Sequence, residues 1–429
     1  MIFKNIISTT GTRILNAVFS LIILLLMTRF IGKEGLGTIG LLLVDITLIQ
    51  LLVDLLGGSV LVYFASRLSV AQLMFTAYVW VIVVVSFTGL LFGYLFHLSP
   101  SFREMILPGG YEYWILILAV VNGWMQVHFN LLIGLKKIKT YNLLFLVQIS
   151  LLLIGFLWFL FVGKQFTVLS YLQALVLSWG ITGLLGLSSL YNEIKVSSGR
   201  ITLTEYLRVL RYGFATSAGN TLHIGNKRLS YYFVRVLNGL APLGILTAAV
   251  QLTEGLRIIA QSIALVQFSA ISNSRDAEYA RELTIKSMKF ALVVTLMALI
   301  ILLLIPISVY GWIFSRAFVE IKSLVFVLSP AILALAANAV FSHYFSGTGQ
   351  PKINVHANIS GFIVTVILAF LLIKPFGIMG AAGVASGSYI ASALYQYIIF
   401  KKQTGTKWNA WLIRKKDFTA FIQLSKSIL

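Results

Sequence analysis

The stretch Tyr206–Arg235, YLRVLRYGFATSAGNTLHIGNKRLSYYFVR, lies at the middle of the chain and must cross a membrane if the apolar segments on either side are to fit. Yet it carries Lys227 and Arg228 well inside its length. At helical spacing Thr216, Asn220, His223, Lys227 and Ser230 share one stripe, each three or four residues from the last. A lysine or arginine near the centre of a membrane helix costs about 2.5–3.5 kcal/mol on insertion scales, so such residues face a partner or a wet cavity. Two adjacent cations raise that cost. The stretch reads as the wall of a polar, positively charged cavity inside an otherwise apolar protein.

Composition agrees. Of 429 residues, 59% are hydrophobic and only 11% charged, with a mean hydropathy of +0.94. A soluble globule holds roughly 25% charged residues, so the chain reads as an all-α polytopic membrane protein. Its net charge of +20 does not imply nucleic acid, because the cations collect in short connections between apolar runs. With no cysteine, disulfides and cysteine-ligated metals are excluded. The N-terminus lacks a small-residue cleavage site, and its apolar stretch reads as retained.

Twelve runs have the expected spanning length of about 20 residues: 5–28, 37–64, 71–96, 113–134, 142–162, 167–190, 206–235, 241–270, 289–310, 323–346, 354–373 and 378–400. The seventh is too polar to score well by hydropathy. With the N-terminus inside, 21 lysines and arginines fall on the inner side and 8 on the outer, which puts both termini in the cytoplasm. The expected organisation is a six-helix lobe over 1–190, a cytoplasmic linker over 191–205, a second six-helix lobe over 206–400 and a basic amphipathic tail over 401–429. Trp408, Trp411, Phe418 and Phe421 among basic residues suit a tail lying on the inner membrane face; a disordered tail fits the composition equally. The lobes look related. His128 to Ile138 aligns without gaps to His343 to Ile353, and Arg29 to Gly37 resembles Arg235 to Gly244. Six helices per lobe make the repeats parallel, an arrangement used by alternating-access transporters.

Arg29-Phe-Ile-Gly-Lys-Glu-Gly-Leu-Gly37, then Asp54-Leu-Leu-Gly-Gly and Tyr63-Phe-Ala-Ser-Arg67, resemble the opening of polysaccharide-export flippases. So do Gly347-Thr-Gly-Gln-Pro-Lys352 and the stretch from Ile373 to Ala382. The resemblance, to the multidrug/oligosaccharidyl-lipid/polysaccharide exporter superfamily, covers essentially the whole chain. It implies a MATE-like fold and, by its nearest type, an O-antigen flippase moving undecaprenyl-pyrophosphate-linked sugars across the bacterial inner membrane. It also implies an acidic residue near Asn226, where this chain has Asn226-Lys227-Arg228, so no cation-coupling role carries over to that position.

The first helix repeats the logic of the seventh. Asn5, Thr9, Thr12 or Arg13, Asn16 and Ser20 make a polar stripe opposite a leucine- and isoleucine-rich face. Facing each other, the two helices would bring Arg13, Lys227 and Arg228 onto one anionic headgroup, with Asn16, Asn220 and His223 beside them; arginine grips pyrophosphate through its two-pronged fork. The plainer reading is that the cations snorkel or satisfy carbonyls. Asp45 and Asp54, nine residues apart in the second helix, and Glu254 in the eighth are the candidates for H⁺ or Na⁺ coupling. Each also has a structural reading, and for Glu254 that is a salt bridge to Arg257.

No phosphate loop, zinc-helix motif or nucleophile elbow occurs, no metal or cofactor is expected, and no outer loop has room for a catalytic domain. The chain thus reads as a non-enzymatic flippase of a lipid-linked oligosaccharide, working among membrane lipids and polysaccharide-assembly proteins. The rivals are a multidrug exporter of the same fold and a membrane polysaccharide polymerase or ligase.

Overall fold

The computed structural model describes the backbone of residues 2–106, 109–196, 203–274 and 276–412, with their side chains except those of 2–10, 14, 105, 196, 203, 215–223, 226–228, 259 and 269. Among the described residues there are helices and turns and no strand. Twelve helices are long: α1 Ile2–Leu26, α2 Gly32–Gly57, α3 Val70–Leu98, α4 Glu112–Gly134, α5 Ile138–Leu157, α6 Val168–Ser189, α7 Leu203–Asn238, α8 Leu240–Ser272, α9 Ala277–Leu304, α10 Ile321–Gly347, α11 Lys352–Leu368 and α12 Lys374–Thr404. By length and hydropathy the described residues hold 9 candidate spans, two of which run through α1–α2 and α11–α12 as pairs. Helix α7 is not among them, its polar stripe having lowered its mean hydropathy as the sequence indicates.

Several expected boundaries move, each for a local reason. The second span does not continue to residue 64 as one helix, because α2 ends at Gly57 and a short helix, Ser59–Phe64, follows the non-helical Gly58. The Asn130 side chain of α4 donates to the Gly57 carbonyl freed by that break (2.9 Å). The ninth span begins 12 residues earlier than expected, since Asp276 caps α9 through the amides of Glu278 and Tyr279. It ends at Leu304, before Pro306, which cannot donate to the Leu302 carbonyl; the Tyr310 hydroxyl does so instead (2.9 Å). In α12 the left-handed Gly377 (φ 55°) marks the start expected at 378.

Contacts divide the chain into two compact units, Met1–Ile224 and Gly225–Leu429, so α7 contributes to both. In the first, α2 packs on α3, α4 and α6, and α4 on α3 and α6; in the second, α8 packs on α9, α10 and α12, and α10 on α9 and α12. The pairing is the same. Turn geometry repeats too. Gly32 (φ 78°) and Gly239 (φ 93°), 207 residues apart, each close the first helix through an amide bonded five residues back, to Met27 and Val234. Five-residue π-turns, Trp158–Val162 and Ala369–Ile373, finish α5 and α11.

The fourth helices end identically as well, but not in the expected register. The amides of Leu135, Lys136 and Lys137 reach the carbonyls of Leu131, Ile133 and Leu132, and those of Thr348, Gly349 and Gln350 reach Tyr344, Ser346 and Phe345. Left-handed Lys136 (φ 60°) thus matches Gly349 (φ 77°), an offset of 213. The gapless alignment of His128 with His343 is two residues out. It matched Gly134 to Gly349 by identity, whereas Gly134 is still helical and the left-handed corner is taken by Lys136.

After α12 the left-handed Gly405 turns the chain back, and a 3₁₀ turn, Trp408–Trp411, follows. Trp411 packs edge-on against Phe341, Tyr397 and Phe400, while Trp408 stays exposed. The rest of the expected tail lies outside the described residues.

Candidate functional site

Helix α7 runs unbroken for 36 residues, so the polar stretch of the sequence does form one helix. The side chains of Thr216, Asn220, His223, Lys227 and Arg228 lie outside the described residues. The last member of the stripe, Ser230, is buried, and it lines a cleft in the second unit. The wall comprises Ser230 and Tyr231 of α7, Thr253 and Glu254 of α8, the Leu328–Leu335 turn of α10, and Ala381, Ala385 and Tyr389 of α12. Pro330 sits in that turn of α10 and cannot donate to the Phe326 carbonyl. Ser386 of α12 donates to the neighbouring Val327 carbonyl (2.8 Å), binding the two walls together there.

Glu254 lines this cleft. Among the described residues no ion pair joins Glu254 to Arg257, which reaches forward one turn; with the Gln261 amide turned to present its oxygen, Arg257 Nη2 and Nε donate to it at 3.0 and 3.2 Å.

In the first unit Arg13 is half-buried on α1, within electrostatic reach of Tyr141 at the start of α5, and Asn16 is half-buried one turn on. Asn5 and Thr9 lie outside the described side chains, Thr12 is buried and Ser20 exposed. Asp45 is 2% exposed and Asp54 half-buried. Asp54 is held by a directional chain of amides: Asn122 of α4 donates to Gln50 (3.2 Å), which donates to Asp54 Oδ1 (2.8 Å). Only the Gln50 bond reaches the carboxylate, where an amide donor favours the ionised form; the Asn122 bond orients Gln50.

Sequence reading singled out neither Gln50 nor Asn122. It also passed over Gln396, which bonds Ser342 and Asn354, and Gln267, which bonds Thr284. The signal was present as single amides in apolar runs, each costly unless paired. His128, buried on α4, bonds the Tyr78 hydroxyl of α3. Among the described residues no group of three His, Cys, Asp or Glu could hold a metal.

No protein-family model matches the sequence and no curated protein matches it. Solved structures do. The chain is similar to an inward-facing multidrug resistance MATE family transporter of the MOP superfamily, with a TM-score of 0.70 and 16% identity over 98% of this chain and 96% of that one. It is similar to the lipid II flippase MurJ in an inward closed conformation, with a TM-score of 0.68 and 14% identity over 99% and 92%. It also resembles a MOP superfamily transporter from Pyrococcus furiosus, described as having a binding pocket of reverse polarity, with a TM-score of 0.60 and 14% identity over 99% and 96%. The fold is that of MOP superfamily transporters.

Proposed function

We propose that the protein is an alternating-access flippase for a lipid-linked, diphosphate-bearing oligosaccharide, built as two six-helix lobes in a bacterial inner membrane with both termini in the cytoplasm. The observation that carries the reading is α7, a continuous helix in a MOP fold with two adjacent cations in its interior. Lys227 precedes the cleft-lining Ser230 by three residues and so shares its stripe. Together with Arg13, and with Asn16, Asn220 and His223 as neutral partners, Lys227 and Arg228 hold the anionic headgroup. The prenyl tail stays in lipid. Glu254 in the cleft, with Asp45 and Asp54 in α2, supplies H⁺ or Na⁺ coupling; transport by Glu254→Gln that keeps its full ion dependence would remove Glu254 from that role.

Lys227→Ala/Arg228→Ala should insert normally and lose surface-polysaccharide complementation in cells. Full complementation rules the assignment out. The multidrug-exporter reading draws on the MATE neighbours, and protection of cells against organic cations by the wild-type chain would favour it. A cationic helix argues against such cargo, since like charges repel.

A further inference from the structure

At the end of the first unit that charge asymmetry assigns to the cytoplasm, three groups form a ladder. The Arg67 guanidinium lies 3.8 Å over the Tyr63 ring, and Tyr63 stacks on Tyr212 of α7 at 4.7 Å and 21°. Phe64 meets both tyrosines edge-on, at 4.9 and 5.7 Å, which fixes the stack from the side. Arg67 Nη1 donates to the Tyr63 carbonyl, so one edge of the guanidinium is engaged while the residue stays exposed. On α7 Arg208, one turn before Tyr212, and Arg211, the residue next to it, are also exposed. None of these three arginines has a carboxylate partner among the described residues, whereas Lys137 is tied to Glu193 at 2.5 Å.

An arginine held flat on a ring has already lost much of its conformational freedom, so binding an anion with its remaining donors costs less entropy. Planar stacking adds cation–π attraction without neutralising the charge. The chain also approaches closely here: a Cβ on Gly213 would sit 1.8 Å from the Leu55 carbonyl oxygen, so α7 packs backbone to backbone on the end of α2. The stack is therefore set on a rigid base. Its chemistry is one guanidinium held on an exposed aromatic platform, with two further exposed arginines on the helix that carries Tyr212.

We propose that Arg67, Arg208 and Arg211, with Tyr63 as platform, form a surface loading subsite for the diphosphate of a lipid-linked saccharide, separate from the α7 cavity. This subsite rests on the transport reading above. The shared chemistry is a phosphate ester in the inner leaflet, from a prenyl diphosphate or an ordinary anionic phospholipid, and the inference is that the diphosphate is its ligand because three unneutralised guanidinium groups match a diphosphate's greater charge.

The test uses the full chain in phosphatidylcholine nanodiscs, with geranylgeranyl diphosphate as probe and phosphatidylglycerol as the second arm. Both are measured in the wild-type and in the Lys227→Ala/Arg228→Ala background. Arg67→Ala/Arg208→Ala/Arg211→Ala should weaken the probe by about tenfold or more, while phosphatidylglycerol binding changes by less than about twofold. Arg67→Lys, which keeps the charge but loses the flat fork, should also weaken the probe, by roughly threefold, with an unchanged unfolding temperature. Unchanged probe binding overturns the subsite, and so does an equal loss for phosphatidylglycerol, which would mark a general lipid contact. If the triple variant binds normally while the α7 double variant fails in transport, the subsite falls and the flippase reading stands; the opposite pattern removes the α7 assignment alone.

Discussion

Asp54 illustrates what a charge within a membrane helix needs. Its carboxylate is served by Gln50, and Gln50 is itself oriented by Asn122, so one amide positions the next. Leaving a buried acceptor without its donor costs about 1–3 kcal/mol, more when the acceptor is charged. Gln50→Leu should therefore lower the detergent unfolding temperature. Adding Asp54→Leu should restore part of that loss, because the uncompensated charge is then gone. A purely additive double variant would show that the two side chains do not act on each other. The carboxylate was legible beforehand, but the amides that serve it were not. Period and hydropathy register which face a residue occupies, and a lone Gln or Asn in an apolar run leaves no trace in either until its partner on another helix is placed.

At the scale of elements the turns are what hold the helices in order. Gly32 and Gly239 sit at φ 78° and 93°, where a Cβ meets the backbone. Gly32→Ala and Gly239→Ala should each destabilise by about 1–2 kcal/mol, with similar losses because the two turns share one geometry; a large inequality in thermal unfolding would deny the equivalence. The connection after α6 carries a second, pH-dependent tie. The Lys137 ammonium beside Glu193 holds that carboxyl below its usual range. A lowered folded pKa contributes stability that is present above the ordinary carboxylate range and is lost as pH falls through the folded value. Between neutral and acidic pH the wild type should lose up to about 1 kcal/mol more than Glu193→Gln, the pair being partly exposed. Parallel melting curves for the two would exclude the tie. Apolar runs of about 20 residues made these helices readable in advance. The glycine break at Gly57–Gly58, the proline end at Pro306 and the three-turn extension of α9 were not, since each depends on a cap supplied by a distant or polar residue.

For the molecule as a whole, the repeat was visible as a handful of identities, but its register was not. Chance matches of glycine, lysine and isoleucine favoured an offset of 215 for the fourth helices, and the backbone hydrogen bonds place it at 213. The fold class followed from composition because almost no other architecture tolerates so few charges. Of the candidate site the sequence offered Ser230 as one member of an α7 stripe and Glu254 as a candidate carboxylate. Their meeting at a cleft through Ser230 required α8, α10 and α12 to be assembled around it.

The paired glycine turns carry one last implication. Counting from Gly32 and Gly239, Gln50 and Asp54 fall opposite Arg257 and Gln261, and both couples are hydrogen-bonded across one helical turn. The two copies have kept the couple and inverted its sign: an amide steadies an anion in one and a cation in the other. Matching positions of the two repeats thus serve charges of opposite sign, an anion in one and a cation in the other.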